Sequence, residues 1–251
     1  MKKLEKWFGS IEESPISTIR ELGLFQRRIK KEIEHRAVAL RLSSDDIEPI
    51  TDGVYSASKY LSSDPKIMWV LKEPYDNIIN DKPYGGGWNI AEECFAKDDA
   101  WSNTTFQPII YSMYGYYNNL YWDDMDWIRD DKSMADVLQQ IAYINVGKMP
   151  AMSSSSDAHI SECYGVWRDI LLRQINGYNP DVIIFANTIQ YFKDDLPLVE
   201  VEKNSDIAVY RAAGCFSRIC LKVKHPNQKQ ITRAAYVDEI IRMIQTYVPK
   251  K

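Results

Sequence analysis

The chain has 251 residues, of which 45% are hydrophobic, and a formal charge of -4. That length can bury one large core or two small ones, and the acidic balance excludes a broadly basic nucleic-acid-binding surface while leaving room for a local basic patch. Four scattered cysteines, Cys94, Cys163, Cys215 and Cys220, form no C-x-x-C pair and show no regular spacing. They predict reduced, buried thiols rather than a disulfide framework or a zinc site. Basic residues at the amino terminus have no apolar stretch behind them, and no run approaches the length needed to cross a bilayer. The expectation is a soluble, cytoplasmic protein with no membrane association; the oligomeric state stays open.

In chain order, Ser14-Pro15 reads as a helix start, and apolar residues recur at helical spacing from Ile16 to Leu40, with Gly23 as a point of interruption. Through Ser43 there are ten Lys or Arg against six Asp or Glu, whereas the remainder has 21 against 29. Such a run is ordinarily a solvated helix face; a phosphate-contacting face is the alternative. A second helix is expected over Val54 to Leu61. Four short segments rich in apolar residues read as strands: Ile67 to Leu71, Ile141 to Val146, Asp181 to Ala186 and Arg218 to Val223. Between and after them, helical patterns cover Pro108 to Tyr117, Met134 to Gln140, Ile160 to Ile175 and Gln228 to Tyr247. Strands alternating with helices imply crossover connections. The predicted fold is α/β, a three-layer α/β/α sandwich around a central four-stranded, mostly parallel sheet. It forms one domain over residues 1–251, with an N-terminal helical extension over about 1–60. Ser153 to Ser156 reads as a short flexible loop within it.

Three of the strands end in polar residues suited to a site. The first runs into Leu71-Lys72-Glu73-Pro74-Tyr75, the second into Asn145-Val146-Gly147-Lys148-Met149-Pro150, and the fourth into Lys224-His225-Pro226-Asn227. Pro74 biases Glu73 towards an extended conformation and so holds its carboxylate at the carboxyl end of the strand, where open α/β sheets bind ligands. A lone Glu, Asn or His after a strand is commonly a cap or a hydrogen-bonded loop residue. A carboxylate, an amide and an imidazole on one sheet edge point instead to a site.

These residues resemble the uracil-DNA glycosylase superfamily. Glu73-Pro74-Tyr75 is similar to the end of its Gly-Gln-Asp-Pro-Tyr motif, His225-Pro226 to the start of its His-Pro-Ser-Pro motif, and Asn145 to its base-reading asparagine. Asn179-Pro180-Asp181 is similar to the entry of its third strand. The resemblance spans roughly residues 60 to 247 and implies a hydrolase that cleaves the base–sugar bond of a uracil-like or otherwise damaged base in DNA. A non-catalytic module binding a base, nucleotide or nucleic acid is the alternative. The implied roles are Glu73 on the attacking water and the sugar cation, His225 as donor to the departing base, Asn145 as reader of its amide edge, and Tyr75 as a pocket wall. Trp88, with Phe95 second, is the candidate aromatic plate against the base. Lys72 and Asn227 belong to the same binding set, and Lys72, Lys148, Lys222, Lys224 and Lys229 could form a local phosphate-binding rim.

The chain also departs from the family's pattern. Leu71 and Lys72 replace glycine and glutamine before the carboxylate, and Asn227-Gln228-Lys229 replaces the serine, proline and leucine that follow the histidine. The apolar side chain that fills the gap left by a flipped base is not evident, which turns the expected partner towards single-stranded DNA, a free base or a nucleotide. No cysteine lies at iron–sulfur ligand spacing, so neither metal nor cofactor is expected. Gly85 to Gly87 reads as a mobile loop rather than a phosphate cradle, and the acidic stretch Asp123 to Asp131 as solvated loop. The tyrosines from Tyr111 to Tyr121 are expected to pack on the core, and His159 to serve a surface or capping role.

Overall fold

A computed structural model describes residues 15–95, 99–152, 154–204, 206–212 and 218–248. Ser14, Ser153 and Cys215 lie outside the described residues, as does most of the first quarter of the proposed N-terminal extension.

The first described helix, α1 (Ile19–Ala39), begins at Thr18 rather than at Pro15. The Thr18 hydroxyl accepts the Glu21 N–H and the Glu21 carboxylate accepts the Thr18 N–H, each at 3.2 Å, so two otherwise unpaired helix-start donors are satisfied. Gly23 does not interrupt it. Leu22, Phe25, Ile29, Ile33 and Ala37 are buried at helical spacing, and the intervening charges face solvent.

The chain then forms β1 (Gly53–Val54), α2 (Ala57–Ser62) and β2 (Ile67–Leu71). A small hairpin, β3 (Asn77–Ile79) and β4 (Lys82–Tyr84), follows, and then α3 (Ile90–Cys94) and α4 (Phe106–Asn118). Lys132–Gln140, expected to be helical from Met134 onward, is a 3-10 helix. It leads into β5 (Ala142–Asn145), α5 (Asp157–Tyr178) and β6 (Val182–Ala186). The remainder is β7 (Leu198–Lys203), β8 (Ala208–Ala212), β9 (Arg218–Val223) and α6 (Arg233–Tyr247). α6 starts five residues later than its periodicity suggests. Gln228 instead folds its side chain back to accept the N–H groups of Gln230 and Ile231, and Thr232 caps the helix.

The main sheet has seven strands in the order β1-β5-β2-β6-β9-β8-β7, which corrects the expected four. The four predicted strands are its parallel centre, β5-β2-β6-β9. The additional strands join antiparallel, β1 on one side and the β8-β7 pair on the other. β7 escapes an apolar-run criterion because it is an edge strand whose side chains are exposed or half-buried.

Alternate residues of the central strands face two cores. Ile67, Trp69, Leu71, Ile184 and Leu221 pack with α4 and α6 on one face. Met68, Val70, Ile144, Ile183 and Phe185 pack with α1 and α5 on the other. The parallel strands are therefore covered on both faces, which is why they read as unbroken apolar runs. Helix α1 belongs to this packing, since Phe25 lies edge-on to Tyr178 with ring centroids 5.3 Å apart.

The end of β5 is fixed by a buried polar cluster. Asp52 accepts the Asn145 backbone N–H at 2.8 Å, the Lys148 ammonium at 2.8 and 2.7 Å, and the Gln174 amide at 2.8 Å. Lys148 also donates to Gln174 Oε1 at 3.1 Å. Both charged side chains are fully buried. Burial pulls the Lys148 pKa below the ordinary lysine value while Asp52 opposes that pull. Removing one partner strands the other's charge, so Asp52→Ala is expected to lower unfolding free energy by about 3–5 kcal/mol. The double variant Asp52→Ala/Lys148→Met should recover part of that loss; chemical denaturation of the variants checks both.

Candidate functional site

Because β2, β5, β6 and β9 are parallel and in register, their carboxyl ends lie together: Leu71 pairs with Asn145, and Ala186 with Val223. A cleft of about 510 Å³ opens there, and Lys72, Glu73, Tyr75, Trp88, Asn145, His225 and Asn227 all line it. The carboxylate, amide and imidazole singled out by sequence, with Lys72, Tyr75, Trp88 and Asn227, are thus brought to one concavity, at the sheet edge where α/β folds bind ligands.

Asn145 is the most informative of them. It is 1% exposed, yet neither its amide oxygen nor its amide nitrogen has a hydrogen-bond partner. The Asn145 amide lies near the Tyr143 hydroxyl and holds its pKa down against the rise that burial imposes, but the two groups do not reach hydrogen-bond geometry. A buried amide left unpaired costs about 1–3 kcal/mol, and one that borders a cleft supplies a donor and an acceptor to whatever enters. Its backbone cannot shift to relieve this, because its N–H is held by Asp52.

Glu73 is set by the strand end before it and the loop after β5. The Gly147 N–H donates to the Lys72 carbonyl at 2.7 Å and the Ala151 N–H to the Pro74 carbonyl at 3.0 Å, so the segment is clamped on both sides of the glutamate. The Glu73 side chain is only 6% exposed. Its Oε1 accepts the Ser155 hydroxyl, and its Oε2 lies 3.0 Å from His159 Nε2. Ser155 and His159 were not placed at the site by sequence reasoning, which gave His159 a surface or capping role. Its imidazole is indeed 53% exposed, but it faces Glu73. The signal available was the position of both residues beside Ser156, the N-cap of α5, and it names no target. Cys163, one turn further along α5, is half-buried with its Sγ 3.6 Å from His159 Nε2. Burial, with Glu73 adding to it, pushes its thiol up to about 11. Cys94 is also half-buried, and of the described cysteines only Cys220 is fully buried, which corrects the expectation of buried thiols at Cys94 and Cys163.

His225 accepts the Asn227 N–H at its Nδ1, at 3.2 Å. A neutral imidazole with Nδ1 as acceptor carries its proton on Nε2, so the side chain is a donor there. Burial lowers its pKa, and the Lys72 ammonium lowers it further. Lys72 itself lies 3.4 Å from Asp157.

Trp88 is half-buried on the cleft wall, with its indole N–H donating to Asp76 Oδ2 at 2.8 Å. The same oxygen accepts the Gly86 N–H at 2.8 Å, while the N–H groups of Gly85 and Gly87 donate to the carbonyls of Asp46 and Pro49. All three glycines have positive φ, between 79 and 99°. This stretch is therefore a pinned turn, not the mobile loop expected, and it holds Trp88 in place. Phe95 is core: it lies edge-on to Phe106 and Tyr143, and it is Phe106 and Tyr143 that line the cleft. Tyr75 is 57% exposed at the rim.

Two further corrections concern the cleft's surroundings. Lys148 is buried against Asp52 and is no part of a phosphate rim. Lys222 and Lys224 instead line an adjoining cavity of about 380 Å³ that shares Asn187 and His225 with the first, and Lys224 lies 2.8 Å from Asp206. Asn187, which follows β6 with φ 59°, adds a fourth strand end that sequence reasoning left out. No protein-family model matches the chain, and no curated protein matches it in sequence.

Because folded His225 gives up its proton more readily than the unfolded chain does, the unfolded chain binds more protons near pH 6, and acid weakens the fold through this group. NMR titration of the imidazole should place the His225 pKa below the ordinary value of about 6.5, and Lys72→Met should raise it.

Proposed function

We propose that this chain is a glycosylase-like hydrolase that cleaves the base–sugar bond of a uracil-like or otherwise damaged base in DNA. The observation that carries the reading is the Asn145 amide, buried and unpartnered on the wall of a cleft that also contains Glu73 and His225. An amide of that kind matches a partner with one donor and one acceptor side by side, as the edge of uracil presents.

The charges of the reaction fit the same three side chains. Breaking the bond leaves positive charge on the sugar and negative charge on the departing base. The Nε2–H of neutral His225 would donate to a base oxygen as charge gathers there. Glu73 would stabilise the sugar cation and take a proton from the water whose oxygen bonds to the sugar carbon. Trp88 and Phe106 would supply ring faces, which suit an unstacked base. Leu71, which stands where the resembling family has glycine, is 2% exposed as part of the core and also borders the cleft, so it narrows the space beside the base. Without a wedge residue after His225, a base already free of a duplex is the favoured substrate, hence single-stranded DNA.

A second reading, a module that binds a base or nucleotide without turnover, is favoured by one observation. Both Glu73 oxygens already have partners, Ser155 on one and His159 on the other. A carboxylate offers about four lone-pair sites, so engagement of two leaves water activation open but constrained.

Incubation with single-stranded DNA containing uracil, hypoxanthine or xanthine should give abasic sites, and Glu73→Ala should abolish them. Retained binding with no base release from the unaltered chain would select the second reading. Under either reading Asn145→Ala should weaken binding by about 1–3 kcal/mol, roughly 5- to 150-fold. Unchanged affinity would remove the base-reading role.

A further inference from the structure

Among the described residues, one group of side chains has the composition and spacing of a metal-ligand set: Glu73, His159 and Cys163, whose ligand atoms all lie within 4.8 Å of one another. We propose that these three residues form a Zn²⁺-binding site at the edge of the cleft. The proposal goes beyond the glycosylase reading and shares only Glu73 with it, whose carboxylate a bound ion would engage in place of the attacking water.

The geometry is the first argument. His159 and Cys163 are four residues apart on α5 and so project from the same face of the helix. Zinc bonds of about 2.0–2.1 Å to nitrogen, about 2.0–2.2 Å to oxygen and about 2.3 Å to sulfur, arranged as a tetrahedron, set ligands apart by about 3.3 Å for N···O and about 3.6 Å for N···S. Here His159 Nε2 lies 3.0 Å from Glu73 Oε2 and 3.6 Å from Cys163 Sγ. The third pair, the Glu73 carboxylate and Cys163 Sγ, lies within 4.8 Å against about 3.6 Å for an O···S pair on tetrahedral zinc, so side-chain rotation of up to about 1 Å closes the set around an ion.

The surroundings are the second argument. Gly147 sits against the cluster, and a Cβ there would come within 3.5 Å of both Cys163 Sγ and Glu73 Oε2. A glycine at this position leaves that flank open. The other carboxylate oxygen of Glu73 accepts the Ser155 hydroxyl, the kind of outer contact that orients a ligating carboxylate. Half of the His159 side chain is exposed, which gives an ion a path in, while Glu73 is almost fully covered. Imidazole, thiolate and carboxylate together suit zinc, and three protein ligands leave a fourth position for water. On binding, the Cys163 thiol releases its proton to solvent as the sulfur–metal bond forms.

The bland alternative is a partly exposed His159–Glu73 ion pair beside an inert thiol, and it predicts no saturable metal binding. The test uses the full chain, stripped with chelator and titrated with Co²⁺ as a spectroscopic stand-in and then with Zn²⁺. One equivalent should bind with a thiolate-to-cobalt charge-transfer absorption that Zn²⁺ abolishes. Cys163→Ser should remove that absorption, and His159→Gln, at an exposed position that should not impair folding, should weaken binding at least about tenfold. Cys94→Ser should leave both unchanged. Absence of one-equivalent binding, or an absorption that survives in Cys163→Ser, overturns the proposal. Base release assayed in chelator reports on the glycosylase reading separately, so failure of one leaves the other standing.

Discussion

The buried Asp52 carboxylate is the contact on which the cleft depends. It sits just before β1, yet it closes on the Asn145 N–H at the end of β5, on Lys148 in the loop beyond, and on Gln174 in α5. One carboxylate thus joins an edge strand, a central strand and a covering helix. A fully buried pair of charges is tolerated only when its lone pairs and protons are satisfied, and here three donors converge on Asp52. The result is a rigid strand end with an amide that has no partner of its own. Satisfied backbone next to an unsatisfied side chain separates what holds the fold from what is left for a ligand.

The cleft combines opposite electrostatic characters within a short distance. Burial, with Lys72 adding to it, favours the neutral form of the neighbouring imidazole, while Glu73, one residue after Lys72, brings a carboxylate under almost complete cover. Placing a cation and an anion on successive residues after a strand sends their side chains to different sides of it. The Lys72 ammonium lies 3.4 Å from Asp157 and acts on His225 through its charge, and the Glu73 carboxylate reaches Ser155 and His159. α5 therefore does more than cover the sheet, because its first turns present partners to both charges. An acidic chain can hold such a site, since local charge and burial set the chemistry and net charge does not.

Much of this was legible in the sequence, for identifiable reasons. Ile67 to Leu71 and Val182 to Ala186 are apolar without interruption because both faces of their strands are covered, and that pattern survives in one dimension. Glu73, Asn145 and His225 were visible as polar residues directly after such runs. The outer strands β7 and β8 were not, because β7 is an exposed edge strand without an apolar run and β8, between β7 and β9, is short and interrupted by the polar Tyr210-Arg211. Lys148 looked like one more cation near a strand end; only the approach of Asp52, 96 residues earlier, makes it an interior residue. Ser155 and His159 were read as loop and surface for the same reason, since nothing local marks their approach to Glu73, 82 and 86 residues before them.

The sequence by itself determined the α/β alternation, the four central strands and the polar residues that end them, because each depends on local periodicity and on which residue follows a buried run. The tertiary structure alone decided that those strand ends share one cleft and that Asn145 is left unpaired within it. It likewise decided that Lys148 is interior, and that Glu73 meets a serine, a histidine and a cysteine from α5 and the loop before it. Each of these is a contact between segments far apart in the chain, and such contacts are set by how layers pack, which no single stretch of sequence encodes.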